Sequence, residues 1–172
     1  MGESGGQALA VVLERATGRR YADYLSEKVW APAGASDAAV WLDRPGGLAK
    51  TFGGVLATAR DWARVGLLLQ NGGRVGDRQL VPAAWVREML TPSPREPDYG
   101  YQIWLGRGGC RREDHEKPFA APDVAYLDGR FKQRVSVVPS AELVVVRVGE
   151  QARGWDETEL VNTLLRGLTP GR

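Results

Sequence analysis

The chain has one cysteine, one histidine and no apolar run of membrane-spanning length. A single thiol, Cys110, closes no internal disulfide and leaves no cysteine cluster to hold zinc. The single His115 has no His, Cys or carboxylate pair near it at metal-ligand spacing, so neither a metal nor a cofactor is expected. It lies in Arg107–Lys117 (RGGCRREDHEK), where both charge signs mix around Gly108-Gly109. That mixture reads as a solvated loop with an exposed histidine. Charge of one sign is scarce too: 23 Lys and Arg against 21 Asp and Glu leave a formal net charge of +2. So small an excess makes no basic face for phosphates, and nucleic acid is not an expected partner. No stretch approaches the ~20 consecutive apolar residues of a membrane span, so no membrane is expected either. The first residues show no positive region followed by an apolar run and a small-residue cleavage site, and the compartment is left open.

What is present suits one water-soluble domain over residues 1–172, with 43% hydrophobic and 26% charged residues. A chain of that length buries roughly 70% of its unfolded surface if its elements close around one core. Ala8 to Ala16 is apolar nearly all round and is followed by Gly18 at the position of a left-handed cap, which predicts a buried helix. Tyr21, Tyr24, Leu25 and Val29 fall at helical spacing before Pro32, predicting a second, amphipathic helix. Residues 31–57 read as a long surface connection with a short strand at Ala39-Val40-Trp41. Thr58 with Asp61 resembles a capping box for a third helix, whose buried stripe is Trp62, Val65, Leu68 and Leu69 and whose end is Asn71-Gly72-Gly73.

Pro82 suits the first turn of a fourth helix, with Trp85 and Met89 on one face and Val86 and Leu90 alongside, before Thr91-Pro92-Ser93-Pro94 stops it. From there the period changes. Tyr99, Tyr101, Ile103 and Leu105 alternate with Gly100, Gln102 and Trp104 as in a strand. Val124–Leu127, Phe131–Val138 and Leu143–Val148 predict an antiparallel meander, with Asp128-Gly129 and Pro139–Glu142 as its turns. Trp155, Leu160, Leu164, Leu165 and Leu168 predict a final helix, with Asp156 and Glu157 at its positive end.

Few chemical motifs stand out. Gly2-Glu3-Ser4-Gly5-Gly6 fits the nucleophile pattern G-x-S-x-G, but the elbow needs a strand leading into it and only Met1 precedes Gly2. A serine triad also needs a histidine within reach, and His115 sits among polar residues. Ser4 as the nucleophile of an unrelated hydrolase is therefore the weaker reading. No phosphate-cradling glycine loop is present. The six tryptophans fall mostly on apolar helix faces or strands, so core packing outweighs a stacking platform.

Taken together, ALAVVLERATGRRYADYLSEKVWAPAGASDAAVW, TFGGVLATARDWARVGLLLQNGG, LVPAAWV, YGYQIWL and QRVSVVPSAELVVVRVG resemble, in order, the C-terminal portion of the beta-lactamase-related serine hydrolases. The branch they are most similar to includes the aminohexanoate-dimer hydrolases and related esterases. The resemblance covers about residues 7 to 168 and implies a partial α+β fold of the beta-lactamase/transpeptidase type. In it an antiparallel sheet, with about three C-terminal strands supplied here, is flanked by helices. It also implies an acyl-enzyme mechanism on a small-molecule amide or ester substrate. That mechanism uses a serine and lysine in S-x-x-K, a tyrosine in Y-x-N or Y-x-S, and a sheet-edge triplet of the Lys-Thr-Gly kind.

No Ser or Thr in this chain is followed three places later by Lys, so no catalytic residue is assigned. By the resemblance, the family tyrosine falls at or just before Met1, and MGESGGQALA is the entry to the helix after it. Lys50-Thr51-Phe52-Gly53 breaks the triplet and belongs instead to the family's FGG-x-x-A-T-A-R-D segment. The resemblance places the sheet-edge triplet at Leu127-Asp128-Gly129, followed by Arg130, whose main-chain N–H takes the oxyanion role. Asp128, Gly129 and Arg130 are thus the expected substrate-binding residues, although only the glycine keeps the strict pattern and Asp128-Gly129 also reads as a plain hairpin turn. Lys132 stands where relatives usually carry glycine. The piece is expected to be inactive alone, or else to be a non-catalytic ligand- or partner-binding domain. An unprotected sheet edge is expected to favour self-association.

Overall fold

The computed structural model describes residues 3–106, 117–150 and 155–168, with side chains from residue 6 onward. His115 and Cys110 lie outside the described residues. The chain forms two compact units, Met1–Arg64 and Val65–Arg172.

The first unit opens with α1 (Glu3–Thr17). Its Gln7, Ala10, Val11, Glu14 and Thr17 face inward or are half-buried, following helical spacing. Gln7 Nε2 donates to the Ala49 carbonyl at 2.9 Å, and Glu14 Oε1 accepts the Tyr21 N–H at 2.9 Å. The buried helix expected from composition is thus buried along one side only: Leu9 and Val12 are 59% and 62% exposed. α2 (Tyr21–Leu25) continues as a wider π turn over Ser26–Trp30. The expected long connection after it contains a small hairpin, β1 (Ala39–Val40) against β2 (Val55–Leu56). Only its first strand was legible in the sequence.

The entry to α3 (Ala59–Gln70) is built around Asp61, which is fully buried. Thr58 Oγ1 accepts the Asp61 N–H at 3.2 Å and donates back to Asp61 Oδ2 at 2.6 Å, the capping arrangement foreseen from the sequence. Asp61 Oδ1 accepts from Ser36 N–H at 3.0 Å and Arg64 at 2.9 Å. These donors, the Thr58 hydroxyl first, hold the carboxyl below its ordinary pKa. Trp30 donates its indole N–H to the Ser36 carbonyl at 2.6 Å and meets Trp62 edge-on at 5.9 Å. The loop at Ser36 is therefore tied to the α3 entry from two sides.

α3 crosses into the second unit, which continues with a hairpin of β3 (Arg74–Val75) and β4 (Arg78–Gln79) and then α4 (Ala83–Met89). Its main sheet has four antiparallel strands in the order β5 (Trp104–Gly106), β6 (Val124–Gly129), β7 (Gln133–Val138), β8 (Leu143–Arg147). α5 (Glu157–Leu168) follows. β7 is buried on both faces, as its VSVV run implies.

One sheet face packs Val124, Tyr126 and Val138 against Val161 of α5 and Phe119, and the other packs Leu105, Ala125 and Leu127 near Leu69 and Leu90. Each large side chain so buried contributes roughly 1.5–3 kcal/mol. α5 begins as the sequence suggested: Asp156 Oδ1 accepts the N–H groups of Thr158 and Glu159 at 2.9 and 3.4 Å. Asn162 then staples the preceding loop, accepting from Ala120 N–H at 2.7 Å and donating to the Pro118 carbonyl at 3.0 Å.

Two expectations fail for stated reasons. Tyr99–Leu105 alternates like a strand, yet only Trp104–Gly106 is one. Gln102 takes φ 59°, and a Cβ on Gly100 would run into the Met89 carbonyl oxygen, so the segment folds as a tight turn with Gly100 N–H on the Ile103 carbonyl. Core packing, expected for most of the tryptophans, does not hold for Trp85, which is 51% exposed and lies against Tyr101 at 5.5 Å, while its neighbour Val86 is buried.

Candidate functional site

The sequence-derived site residues lie at one end of the main sheet. Asp128 and Gly129 are not a turn: β6 runs through both, paired to Arg134 and Gln133 of β7. The reversal falls one step later, at Arg130-Phe131-Lys132, closed by the Gln133 N–H on the Arg130 carbonyl. Phe131 and Lys132 both sit at φ 61°. Non-glycine residues there cost of order 1–3 kcal/mol each and persist only where surrounding contacts over-determine them. Lys132 is the position for which the sequence resemblance implied glycine, and its backbone shows why glycine suits it.

Those contacts come from the far end of β8. Arg147 donates from one guanidinium nitrogen to the carbonyls of Phe131 and Lys132 at 3.1 and 2.9 Å, and from the other to Glu150 at 2.7 Å. Its guanidinium also lies 5.2 Å from the Trp155 ring. Lys132 Nζ donates to the Trp155 carbonyl at 2.8 Å. The Gln133 amide and the Gly149 main chain bond each other in both directions. The turn is therefore tied to the end of β8, to Gly149 and to Trp155.

Beneath it, the Asp128 carboxylate accepts Arg134 Nε at 3.0 Å, with Arg134 buried and stacked over Tyr126 at 4.5 Å. A second guanidinium nitrogen of Arg134 lies 3.8 Å from Glu157 Oε2, the two side chains each 3% exposed. Neither Glu157 oxygen has a hydrogen-bond partner among the described residues. Asp128 as a residue is exposed although its side chain keeps only 19% of its accessible surface. Its exposure is thus carried by the main chain.

β5 covers β6 only from Val124 to Tyr126, opposite Gly106, Leu105 and Trp104. Among the described residues, Leu127 and Gly129 lie past the last β5–β6 pairing, and both are paired to β7. Gly129 and Arg130 are exposed, with the Arg130 guanidinium over the Phe131 ring at 4.7 Å. An extended edge of this kind offers main-chain N–H and C=O groups to a ligand, while the Asp128 carboxylate is turned away to Arg134.

Ser4 lies within α1, not at a strand-to-helix turn. Lys50-Thr51-Phe52-Gly53 forms a turn of the first unit, tied by the Thr51 hydroxyl to the Gly6 carbonyl at 2.7 Å. No cluster of metal-ligating side chains occurs among the described residues. Arg134 and Arg147 were not singled out from the sequence. The one available signal was a charged residue inside each apolar strand, at QRVSVV and LVVVR.

A family model described as beta-lactamase matches residues 4–165. The chain belongs to the beta-lactamase family. Within it, a 6-aminohexanoate-dimer hydrolase of Paenarthrobacter ureafaciens is 38% identical over 109 residues, 61% of this chain and 27% of that protein. Among solved structures, one from Bacillus anthracis, provisionally described as a 6-aminohexanoate-dimer hydrolase, superposes with a TM-score of 0.72 at 24% identity. It is covered over 40% of its length and this chain over 93%. A beta-lactamase from Mycobacterium bovis gives 0.76 at 18% identity, covering 98% of this chain and 64% of that one. The α+β fold expected from the sequence is thus the fold found, and the chain spans less than two thirds of each of these relatives. Family membership also removes the ground for reading Ser4 as the nucleophile of an unrelated hydrolase.

Proposed function

We propose that this chain supplies the sheet-bearing, C-terminal part of an acyl-transfer site for amide or ester substrates, and that it does not hydrolyse them by itself. The observation that carries the reading is the exposed main chain at Gly129 and Arg130, past the last β5–β6 pairing among the described residues, in a chain of the beta-lactamase family. When a nucleophile attacks an acyl carbonyl, negative charge grows on its oxygen, and fixed N–H donors stabilise that charge at no reorganisation cost. The Arg130 N–H is the donor proposed here. A substrate amide lying along Leu127–Gly129 would be aligned by main-chain hydrogen bonds. The nucleophile and its base are the missing parts, since no Ser or Thr precedes a Lys by three places.

Titrating the isotope-labelled chain with a linear diamide built on 6-aminohexanoate tests this. Amide shifts concentrated on Leu127–Arg130 are expected. Shifts absent there, or confined to the Trp85 and Tyr101 surface, contradict the reading.

A second reading, in which the sheet recruits a partner, is favoured by β8. Leu143–Arg147 ends the sheet with a ladder to β7 only, among the described residues, and every residue in it is half-buried. Such an edge, rich in valine and free of proline, is suited to strand pairing with a second copy of the chain. Sedimentation equilibrium should show concentration-dependent dimers, and a monomer at every concentration contradicts it.

A further inference from the structure

We infer that Arg147 is a positioning residue: it holds the Arg130-Phe131-Lys132 turn on its left-handed path and so fixes the direction of the Arg130 main-chain N–H. The inference rests on the reading of that N–H as the oxyanion donor. Two adjacent non-glycine residues at φ 61° form a turn that the local sequence does not prefer, because their Cβ atoms crowd the following carbonyls. The stabilising contacts come from outside the turn. One guanidinium bonds the carbonyls of Phe131 and Lys132, while its other nitrogen is anchored on Glu150. Trp155 lies against the guanidinium and in turn accepts Lys132 Nζ through its carbonyl.

The chemistry of the side chain matters. A planar fork with several N–H groups serves two adjacent carbonyls and a third at once, which an ammonium on a flexible stem does not match. Arg147 stands five residues after Glu142 on the last strand and pairs in register with Arg134, not with the turn, so it reaches past the ladder to the turn. An oxyanion donor is effective only when its direction is set beforehand. Glycine at position 132 would adopt the same path unaided. The strap therefore does for this chain what glycine does without help.

The experiment uses the whole chain in three forms: Arg147→Gln, Arg147→Lys, and Arg147→Gln with Lys132→Gly. Two readouts are taken by NMR: the HN–Hα couplings of Phe131 and Lys132, which report φ, and the response of the Arg130 N–H to the linear diamide. In Arg147→Gln the couplings should leave the left-handed range, and diamide affinity at Arg130 should fall about tenfold as charge-assisted bonds are lost. Amides of α3 and β7 should stay in place. Adding Lys132→Gly should restore the affinity, a rescue that a merely stabilising role would not produce. Should Arg147→Gln fail to fold, Arg147→Lys carries the same readouts.

Unchanged couplings in the Arg147 variants overturn the inference, as does a loss of affinity that Lys132→Gly does not rescue. If the native chain ignores the diamide while Arg147→Gln still releases the turn, the substrate reading fails and the functional half of the inference falls with it. The structural strap would stand.

Discussion

Asp128 and Arg134 are register partners across β6 and β7, and Arg134 Nε donates to Asp128 Oδ1 at 3.0 Å. Because that carboxylate is occupied by Arg134, the exposed part of Asp128 is its main chain. The same guanidinium faces the buried Glu157 at the start of α5. One buried cation thus joins the sheet edge to the helix beneath it.

Removing that cation should cost far more than removing the pair. Arg134→Met leaves two carboxylates facing an apolar side chain, and loss of one partner from a buried pair typically costs about 3–5 kcal/mol. Arg134→Met with Glu157→Leu should cost clearly less than Arg134→Met alone, since no charge is then stranded at the helix start. Urea unfolding of the three proteins checks the order. Equal losses would contradict it.

The Asp61 carboxyl makes a pH prediction. Its pKa is lowered in the folded chain by the Thr58 hydroxyl, then by the Ser36 N–H, with Arg64 adding to both. A depressed folded value means the stabilisation is fully present above the ordinary Asp value of about 3.9 and is lost as pH falls from there through the folded pKa. Asp61→Asn should therefore lower stability at neutral pH and flatten the acid limb of the stability profile below about pH 4. Denaturation followed from pH 7 to pH 2 gives both; an unaltered acid limb refutes the assignment.

Gly66 sets the distance of α3 from the sheet. A Cβ there would lie 2.5 Å from Val144 Cγ1 and 2.9 Å from Val135 Cγ1. Alanine normally gains up to ~1 kcal/mol over glycine within a helix, but overpacking costs typically 1–3 kcal/mol. Gly66→Ala should be net destabilising by about 1 kcal/mol, and Val144→Ala in the same chain should recover part of it. A stabilised Gly66→Ala would show the packing to be loose.

Asp156 caps α5 through two main-chain donors. Asp156→Ala should cost about 1 kcal/mol, and Asp156→Ser should keep most of it. Thermal melts compare the two, and identical melts for native and alanine chains would refute the cap.

Much of this architecture was legible in residue pattern. LVVVR and QRVSVV read as strands because β-branched runs bounded by turn residues leave little alternative, and Thr58 with Asp61 announced its helix by chemistry that is local. The failures were tertiary. Asp128-Gly129 is a strong hairpin signal, yet the strand continues through it because Arg147 stabilises the next three residues in a turn they would not choose alone. Tyr99–Leu105 alternates, but the steric approach of Gly100 to Met89 decides its path. Trp85 was placed by helical spacing, which says which residues share a face and not whether anything covers that face. At the candidate site, sequence resemblance proposed Asp128, Gly129 and Arg130, which fall at the end of β6 and the start of the turn after it. How far β5 covers β6 depends on where β5 begins, at Trp104, and no motif records it.

The proposed function gives this chain of the beta-lactamase family an acyl-docking edge without a serine nucleophile of its own. The first measurement is exposure of the purified chain to a fluorophosphonate serine probe, read by intact mass and peptide mapping. An unmodified chain is the expected result. A stoichiometric adduct on any serine, Ser4 above all, would contradict that proposal.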